Sequence, residues 1–146
     1  LRDRFTMQEE IMPYSEGELA QVIADAASTQ IDQEAARTMA RASMGTPRKA
    51  LSLLAATEDQ RLASGRTNID HDLVRQTLKR RRIDSRGLGS RQVQAMNILH
   101  EKGRPIGQAS LSYSMGLDPE VFRATIEPDL LRLGLMAITP FGLVAN

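Results

Sequence analysis

The chain of 146 residues contains no cysteine and no tryptophan, and aromatic residues make up only 3% of it. The lack of cysteine excludes a disulfide scaffold and any cysteine-based zinc site. With so few aromatic rings, the core must be built from Leu, Ile, Val, Ala and Met, a composition that favours helices. No apolar run approaches the roughly 20 residues of a membrane-spanning helix, and no signal-peptide pattern opens the chain. These absences predict a soluble, cytoplasmic protein with no membrane partner.

Two further absences bear on function. The sequence G-x-x-x-x-G-K-[ST] does not occur, so the chain has no phosphate-binding loop with which to hold a nucleotide by itself. The two histidines, His71 and His100, stand far apart in the sequence and predict no metal site. The chain begins with Leu1 rather than Met, and we therefore expect it to be part of a longer protein.

Positive charge is concentrated in one short segment. The formal net charge is only +1, but residues 75–91 contain seven Lys/Arg and one Asp/Glu, whereas residues 1–74 have a net charge of −4. Such a run attracts polyanions, nucleic acid first, although a solvated linker with no partner explains the composition equally well. The candidate DNA contacts in this segment are Lys79, Arg80, Arg81, Arg82, Arg86 and Arg91.

The first half of the chain has the pattern of four short amphipathic helices. Ser15 and Glu18 have the spacing of a capping box before the first helix, and Pro47 stands at the first position of the third, where its missing N–H costs nothing. Asp70 is placed to cap the fourth helix. The predicted inner face of the third helix consists of Leu51, Leu54, Ala55 and Leu62. Short connections between such helices predict a small helical bundle over residues 15–82.

The second half, residues 83–146, predicts three helices followed by a β-hairpin, which is the order of a winged helix-turn-helix. Ser90 is placed to cap the first of these helices, and Pro128 must kink or split the third. Residues 135–139 and 143–145 have the composition of two strands around the turn Pro140-Phe141-Gly142. The predicted fold class is therefore mainly α: a four-helix bundle followed by a winged helix with a small hairpin. Gly87 and Gly89 are expected to loosen the linker between the two units.

One arginine stands where a helix gives it no stabilisation. Arg48 follows Gly45-Thr46-Pro47 in the first turn of the third helix, and the helix dipole favours anions at that end. We therefore expect Arg48 to face an anion outside the helix. The segment resembles the sensor-2 motif of AAA+ ATPases, in the Gly-Thr-Pro-Arg form of the RuvB family, whose members drive branch migration of Holliday junctions.

The resemblance extends over essentially the whole chain in the correct order. The first five residues are similar to the Leu-Arg-Asp-Arg-Phe segment near the end of the family's ATPase core. Further similar segments lie at the opening of the lid, in the linker, and before the second and within the third helix of the winged domain. They are Tyr14-Ser15 with Glu18-Leu19, Ile83-Asp84 with Gly87-Leu88, Pro105-Ile106-Gly107, and Ile126-Glu127-Pro128.

The resemblance implies roles for particular residues. Arg48, with Pro47 in the same motif, is similar to the sensor that reaches the γ-phosphate of ATP bound to the core of its own subunit. Arg4 is similar to the arginine finger that reaches the ATP of a neighbouring subunit, although Arg2 competes for that role and an ordinary exposed arginine is the alternative. A guanidinium suits both tasks because it is always charged and presents planar paired donors.

The resemblance also implies cofactors and partners for the longer protein. They are ATP with Mg²⁺, branched or duplex DNA, other copies of the same subunit in a ring, and a RuvA-type junction-binding protein. Residues 1–14 then correspond to the end of the ATPase core and its connector, residues 15–82 to the lid, and residues 83–146 to the winged-helix domain. The chain alone, without a phosphate-binding loop, is expected to be inactive as an ATPase.

The hairpin departs from the family pattern. The family's wing reads Arg-Thr-Pro-Arg-Gly-Arg, whereas residues 138–143 here read Ile-Thr-Pro-Phe-Gly-Leu and contain no basic residue. Because phosphate contacts dominate DNA affinity, either the basic segment binds DNA instead or the chain is a divergent paralogue. We expect the basic segment to bind DNA, with Arg123 adding a groove contact. Two alternatives from other classes are a non-catalytic winged-helix DNA-binding regulator and a winged helix that contacts protein.

Overall fold

A computed structural model of the chain describes residues 12–146. By their internal contacts these residues divide into two compact units after Thr77. The first unit contains three helices and the start of a fourth, and the second contains four further helices and a two-stranded sheet. The four helices that form or begin in the first unit are α1 (Glu16–Ala26), α2 (Gln33–Ala42), α3 (Pro47–Ala63) and α4 (His71–Arg81), the last of which continues past Thr77.

Two of the predicted helix caps are confirmed. At the start of α1, the Ser15 hydroxyl accepts a hydrogen bond from the Glu18 backbone N–H at 3.2 Å, and the Glu18 carboxylate accepts from the Ser15 N–H at 2.8 Å. At the start of α4, the Asp70 carboxylate accepts from the Leu73 N–H at 2.8 Å. Each cap satisfies N–H groups that have no partner inside the helix, so these capping side chains set where the two helices begin.

The first unit is a bundle around an aliphatic core. α1 contacts both α2 and α3, and α2 contacts α3. The loops before α2 and α4 are joined by two backbone hydrogen bonds of 2.9 Å, from Asp32 to Ile69 and from Ile69 to Gln30. These bonds hold the two loops together within the bundle. The buried core includes Leu19, Ile23, Met39, Leu53, Leu54, Ile69, Leu73 and Val74.

The predicted inner face of α3 is wrong in part. Leu51 and Leu62 are exposed, at 43% and 66% of their surface, and Ala55 is exposed as well. Two polar residues, Thr57 and Gln60, are buried instead. They tolerate burial because they are hydrogen-bonded: the Thr57 hydroxyl donates to the Leu53 carbonyl at 2.8 Å, and the Gln60 amide oxygen accepts from the Thr77 hydroxyl at 3.2 Å.

The second unit is a winged helix, which confirms the predicted fold class. Its sheet is antiparallel with Ile138 opposite Leu143, and Ile106 adds a bridge to Leu143 through hydrogen bonds of 3.0 and 2.8 Å. The second strand therefore lies in the middle of a small three-stranded arrangement. The elements are α5 (Ser90–Lys102), α6 (Gln108–Ser114), α7 (Pro119–Thr125), α8 (Glu127–Arg132), β1 (Met136–Thr139) and β2 (Gly142–Ala145).

Proline splits the third helix of this unit, as predicted. α7 and α8 meet at Ile126, whose φ of −118° and ψ of −52° depart from helical geometry, and Pro128 occupies the first turn of α8. The start of α5 differs from the prediction. Its N-cap is Gly89 rather than Ser90, and the Gly89 N–H donates to the Gln92 side-chain oxygen at 2.7 Å.

Hydrogen bonds define the backbone around Gly87, and the expectation that Gly87 and Gly89 loosen the linker stays a prediction. The Leu88 backbone N–H donates to the Asp84 carboxylate at 2.8 Å, and the Asp84 N–H donates to the Leu88 carbonyl at 2.9 Å. Leu88 is fully buried. Gly87 has a φ of +89°, a conformation that glycine adopts without steric cost. The glycine therefore closes a defined loop.

Candidate functional site

The turn between α2 and α3 positions Arg48. Two successive residues, Met44 and Gly45, have left-handed backbone conformations with φ of +52° and +74°. Thr46 then adopts an extended conformation, and Pro47 opens α3. The Thr46 hydroxyl makes no capping hydrogen bond, so proline and the turn, rather than a side-chain cap, define where the helix begins. We call residues 43–48 the sensor turn.

Arg48 lies exposed on the first turn of α3. Between residues 12 and 146 its guanidinium has no hydrogen-bond or ion-pair partner. The first turn of α3 contains no acidic residue, in contrast to α1, which has Glu16 and Glu18 there. The positive end of the helix dipole and the Arg48 charge therefore add together. This arrangement suits an external anion such as a phosphate group.

The six basic residues of the linker region are all exposed. Three of them form the last turn of α4, where positive charge is also stabilised by the helix dipole. Arg82 follows with a left-handed φ of +55°, a position that glycine usually occupies at helix ends. The helix dipole therefore explains why three of these basic residues lie in the last turn of α4. It does not explain why an arginine occupies the strained position 82. The set, called the basic segment below, is Lys79, Arg80, Arg81, Arg82, Arg86 and Arg91.

Arg86, a member of the basic segment, is partly neutralised by Asp84. The Arg86 guanidinium contacts the Asp84 carboxylate, with nitrogen–oxygen distances of 3.0 and 3.1 Å, and the Arg86 backbone N–H also donates to that carboxylate at 2.9 Å. More than half of the Arg86 side chain is still exposed. A salt bridge this exposed is weak, so Arg86 remains able to contact a phosphate while keeping part of its charge compensated.

Arg123 is exposed on α7 but is bound to its neighbours. Its guanidinium donates to the Gln108 side-chain oxygen at 2.8 Å, and the Gln108 amide nitrogen donates to the carboxylate of Glu127, a residue only 8% exposed. Asp118 and Glu120, at the start of α7, are exposed and acidic. The helix therefore presents one cation among carboxylates, which weakens the case for a groove contact by Arg123.

Sequence patterns do not predict the hydrogen-bond network that joins Arg123, Gln108 and Glu127. A second long-range bond joins α8 to α5, because the Gln92 amide donates to the Asp129 carboxylate at 2.9 Å. Asp129 is also paired with Arg132, in the same helix, at 3.1 Å. The pairs Gln108–Glu127 and Gln92–Asp129 are 19 and 37 residues apart in the chain, so no local pattern identifies them.

The wing, formed by β1, β2 and the turn between them, folds as a hairpin, but its residues 138–143 include no basic side chain. The Thr139 hydroxyl donates to the Gly142 carbonyl at 2.7 Å and accepts from the Phe141 N–H at 3.2 Å, so the side chain of Thr139 fixes the turn. Phe141 is 83% exposed at the tip, and Ile138 is 63% exposed on β1. The outer end of the hairpin is therefore apolar.

Other predicted features are reported only for the part of the chain that the structure describes. Arg4, the candidate arginine finger, and Arg2 lie outside it. Residues 12–146 hold no group of three or more His, Asp or Glu side chains with the geometry of a metal site. None of the helices in this range combines the length and apolar composition that crossing a bilayer requires.

The fold and the sensor turn together define a class of protein: a helical lid of the AAA+ type joined to a winged helix. Two family models match consecutive parts of the chain. The RuvB AAA lid domain matches residues 14–84, and the RuvB C-terminal winged helix domain matches residues 85–143. Together they account for nearly all the described residues.

Curated relatives and solved structures agree with the family models. The Holliday junction branch migration complex subunits RuvB of Parasynechococcus marenigrum and Treponema pallidum are 36% and 35% identical over 97% and 100% of this chain. The structure of the Thermotoga maritima RuvB Holliday junction branch migration motor superposes with a TM-score of 0.85 at 31% identity and covers 99% of the chain. The chain belongs to the RuvB family.

The chain is shorter than these relatives. It spans 42% and 43% of the length of the two curated proteins and 50% of the Thermotoga chain. The matched region is the lid and the winged helix. The predicted boundary between residues 82 and 83 stays a prediction; it lies between Thr77, where the contacts divide the chain, and Asp84, where the lid match ends.

Proposed function

We propose that this chain is the lid and DNA-binding part of an ATP-dependent, RuvB-type motor that moves branched or duplex DNA. The ATPase core that binds ATP and Mg²⁺ would precede it, with residues 1–14 forming the end of that core. Residues 15–82 would form the lid and residues 83–146 the winged-helix domain. The chain by itself would not hydrolyse ATP, because it lacks a phosphate-binding loop.

The observation that carries the proposal is the state of Arg48. Its guanidinium is exposed at a helix N-terminus without a nearby acid, and no described residue pairs with it. In this setting a guanidinium is available to a γ-phosphate, where planar paired donors stabilise the charge that develops during phosphoryl transfer. Arg4 would act on the ATP of the neighbouring subunit, which requires self-association into a ring.

The test uses the longer protein that contains this chain, with Arg48→Ala compared with Arg37→Ala. Arg37 is an exposed arginine on α2 in the same unit, so the control removes an equal charge away from the sensor turn. We expect Arg48→Ala to lower the steady-state rate of ATP hydrolysis at saturating DNA by about 100-fold, because catalysis of phosphoryl transfer depends on positioned charge. Arg37→Ala should retain its activity. Equal rates in the two variants would refute the sensor assignment.

The DNA-binding role rests on the basic segment and on the winged-helix fold. All six basic side chains are exposed, and exposed lysines and arginines supply the sequence-independent part of DNA affinity through phosphate contacts. A motor that moves along DNA needs this kind of contact rather than base readout. Within the proposal, a RuvA-type protein would deliver the junction, and the motor would work in the cytoplasm.

A second candidate function is favoured by the wing. The apolar tip formed by Ile138 and Phe141 has the character of a protein contact, because aromatic side chains are enriched at interfaces and charged ones are depleted. Under this alternative the winged helix binds a partner protein. Loss of partner binding in Phe141→Ala with unchanged DNA affinity would support it.

A further inference from the structure

The sensor turn is covered on one side by the segment that leads into the lid. The Tyr14 backbone N–H donates to the Gly45 carbonyl oxygen at 3.2 Å. A Cβ atom built on Gly45 would lie 2.8 Å from the Pro13 Cβ and 3.3 Å from the Tyr14 carbonyl oxygen. The first distance is shorter than packed carbon atoms tolerate, so Pro13 and Tyr14 lie where they do because residue 45 has no side chain.

The covered turn is well ordered by its own hydrogen bonds. The Thr46 N–H donates to the Ser43 carbonyl at 3.1 Å, and the buried Ser43 hydroxyl donates to the Met39 carbonyl at 2.6 Å. Met44, in its left-handed conformation, is only 6% exposed. Arg48 follows three residues after the point at which Pro13 and Tyr14 touch the turn. The contact is therefore made on the turn that leads directly into α3.

We propose that Gly45 is a positioning residue for the reaction: it lets Pro13 and Tyr14 lie against the sensor turn, and this contact sets the place of Arg48 relative to the segment that enters the lid. The inference rests on the proposed function, since it assumes that Arg48 acts on ATP. Gly45 itself contacts no nucleotide in this scheme. It acts through the backbone of the turn and through Arg48.

A simpler explanation for the glycine is its φ of +74°, which L side chains rarely adopt. The chain offers a matched control for this explanation. Gly65, in the same unit, has a φ of +67°, and a Cβ built on it meets nothing within 4 Å. Gly65→Ala therefore introduces the same backbone strain as Gly45→Ala without displacing any other segment.

The experiment measures ATP hydrolysis and thermal unfolding of both variants in the longer protein. We expect Gly45→Ala to lower kcat at least ten-fold more than Gly65→Ala. Pro13→Gly, combined with Gly45→Ala, removes the atom that the new Cβ would meet and should return kcat to the level of Pro13→Gly alone. If Gly45→Ala does not fold, Pro13→Gly alone removes the same contact, and we expect a reduction in kcat of at least three-fold.

A double-mutant cycle separates positioning from general damage. If Gly45 acts through Arg48, Gly45→Ala has no further effect on kcat in an Arg48→Ala background. Equal kcat values for Gly45→Ala and Gly65→Ala, lack of rescue by Pro13→Gly, or full additivity with Arg48→Ala would each overturn the inference. Failure of the proposed function gives a different result, namely wild-type activity of Arg48→Ala itself.

Discussion

Two turns of this molecule are each defined by a few residues, but one exposes a charged side chain and the other exposes an apolar one. The sensor turn uses left-handed backbone and a proline to place an exposed arginine at the start of a helix. The wing turn uses proline and the Thr139 side chain to place an exposed phenylalanine at the end of a hairpin. The first keeps the residue type that the family resemblance implies, whereas the second does not.

The difference shows that fold and surface are specified separately in the winged helix. The hairpin is held by the bridge between Ile106 and Leu143 and by buried residues such as Met136. Gly142 is needed because a Cβ there would lie 2.5 Å from the Ile106 carbonyl oxygen. None of these contacts involves the outward side chains. Charge at the tip is therefore free to change while the fold is kept, and under the proposed function the phosphate contacts would come from other residues.

The largest effect in this comparison is expected from the basic segment. Arg80→Glu combined with Arg82→Glu should reduce duplex DNA affinity by at least ten-fold at low salt. Loss of two phosphate contacts should also flatten the log–log salt dependence by about 1.8, since each contact contributes about 0.9. The measurement is DNA binding by fluorescence anisotropy over a series of salt concentrations.

The matched control reverses two other exposed charges in the winged helix. Lys102→Glu combined with Arg104→Glu changes the net charge by the same amount at the end of α5. Its effect should be limited to the general change in charge, with little change in the salt slope. Equal slopes for the two double variants would mean that net charge, and not the basic segment, governs binding.

A smaller effect is expected at the wing. Phe141→Ala should change duplex affinity by less than about two-fold, because an uncharged side chain neutralises no phosphate. Tyr113→Ala, which removes another exposed aromatic residue on α6, is the control for general loss of apolar surface. A ten-fold loss of affinity confined to Phe141→Ala would place the hairpin at the DNA and make the basic segment secondary.

Local patterns were enough for the order of the elements and for several helix ends, although the N-cap of α5 is Gly89 rather than the predicted Ser90. The capping box of Ser15 and Glu18, the split near Pro128 and the hairpin all depend on residues close together in sequence. The buried face of α3 was harder to predict. Thr57 and Gln60 are buried there and hydrogen-bonded to Leu53 and Thr77, while Leu62 is exposed. Hydrophobicity alone favours the opposite choice.

The candidate sites likewise include features that follow from local sequence and features that depend on contacts between distant residues. The position and exposure of Arg48 follow from a local motif, and the exposure of the basic segment follows from its charge. The tie between Arg123 and Gln108, and the contact between Pro13 and Gly45, join residues that the chain brings together only on folding. Single-sequence patterns have a period of two to four residues and carry no information about such pairs.

The smallest effect concerns the start of the lid. Hydrogen bonds from the Ser15 backbone N–H, and then from its hydroxyl, lower the pKa of Glu18 from its ordinary value. Because the folded pKa is lowered, the ionised carboxylate stabilises the fold above the unfolded pKa of about 4.3. This contribution is lost as the pH falls through the folded pKa. Ser15→Ala removes the hydroxyl but keeps the backbone N–H, which is the larger cause, so it should lower stability at pH 7 as the loss of other N-cap side chains does, and by somewhat less at low pH.

The control is Asp32→Ala at the N-cap of α2, since the Asp32 side chain makes no capping hydrogen bond. Thermal unfolding of each variant at pH 7 and near pH 3 measures both effects. We expect the difference between wild type and Ser15→Ala to shrink on acidification, and Asp32→Ala to be nearly silent at pH 7. A Ser15→Ala effect that stays constant down to pH 3 would mean that the hydroxyl bond to the Glu18 N–H, which does not titrate, accounts for the cap on its own.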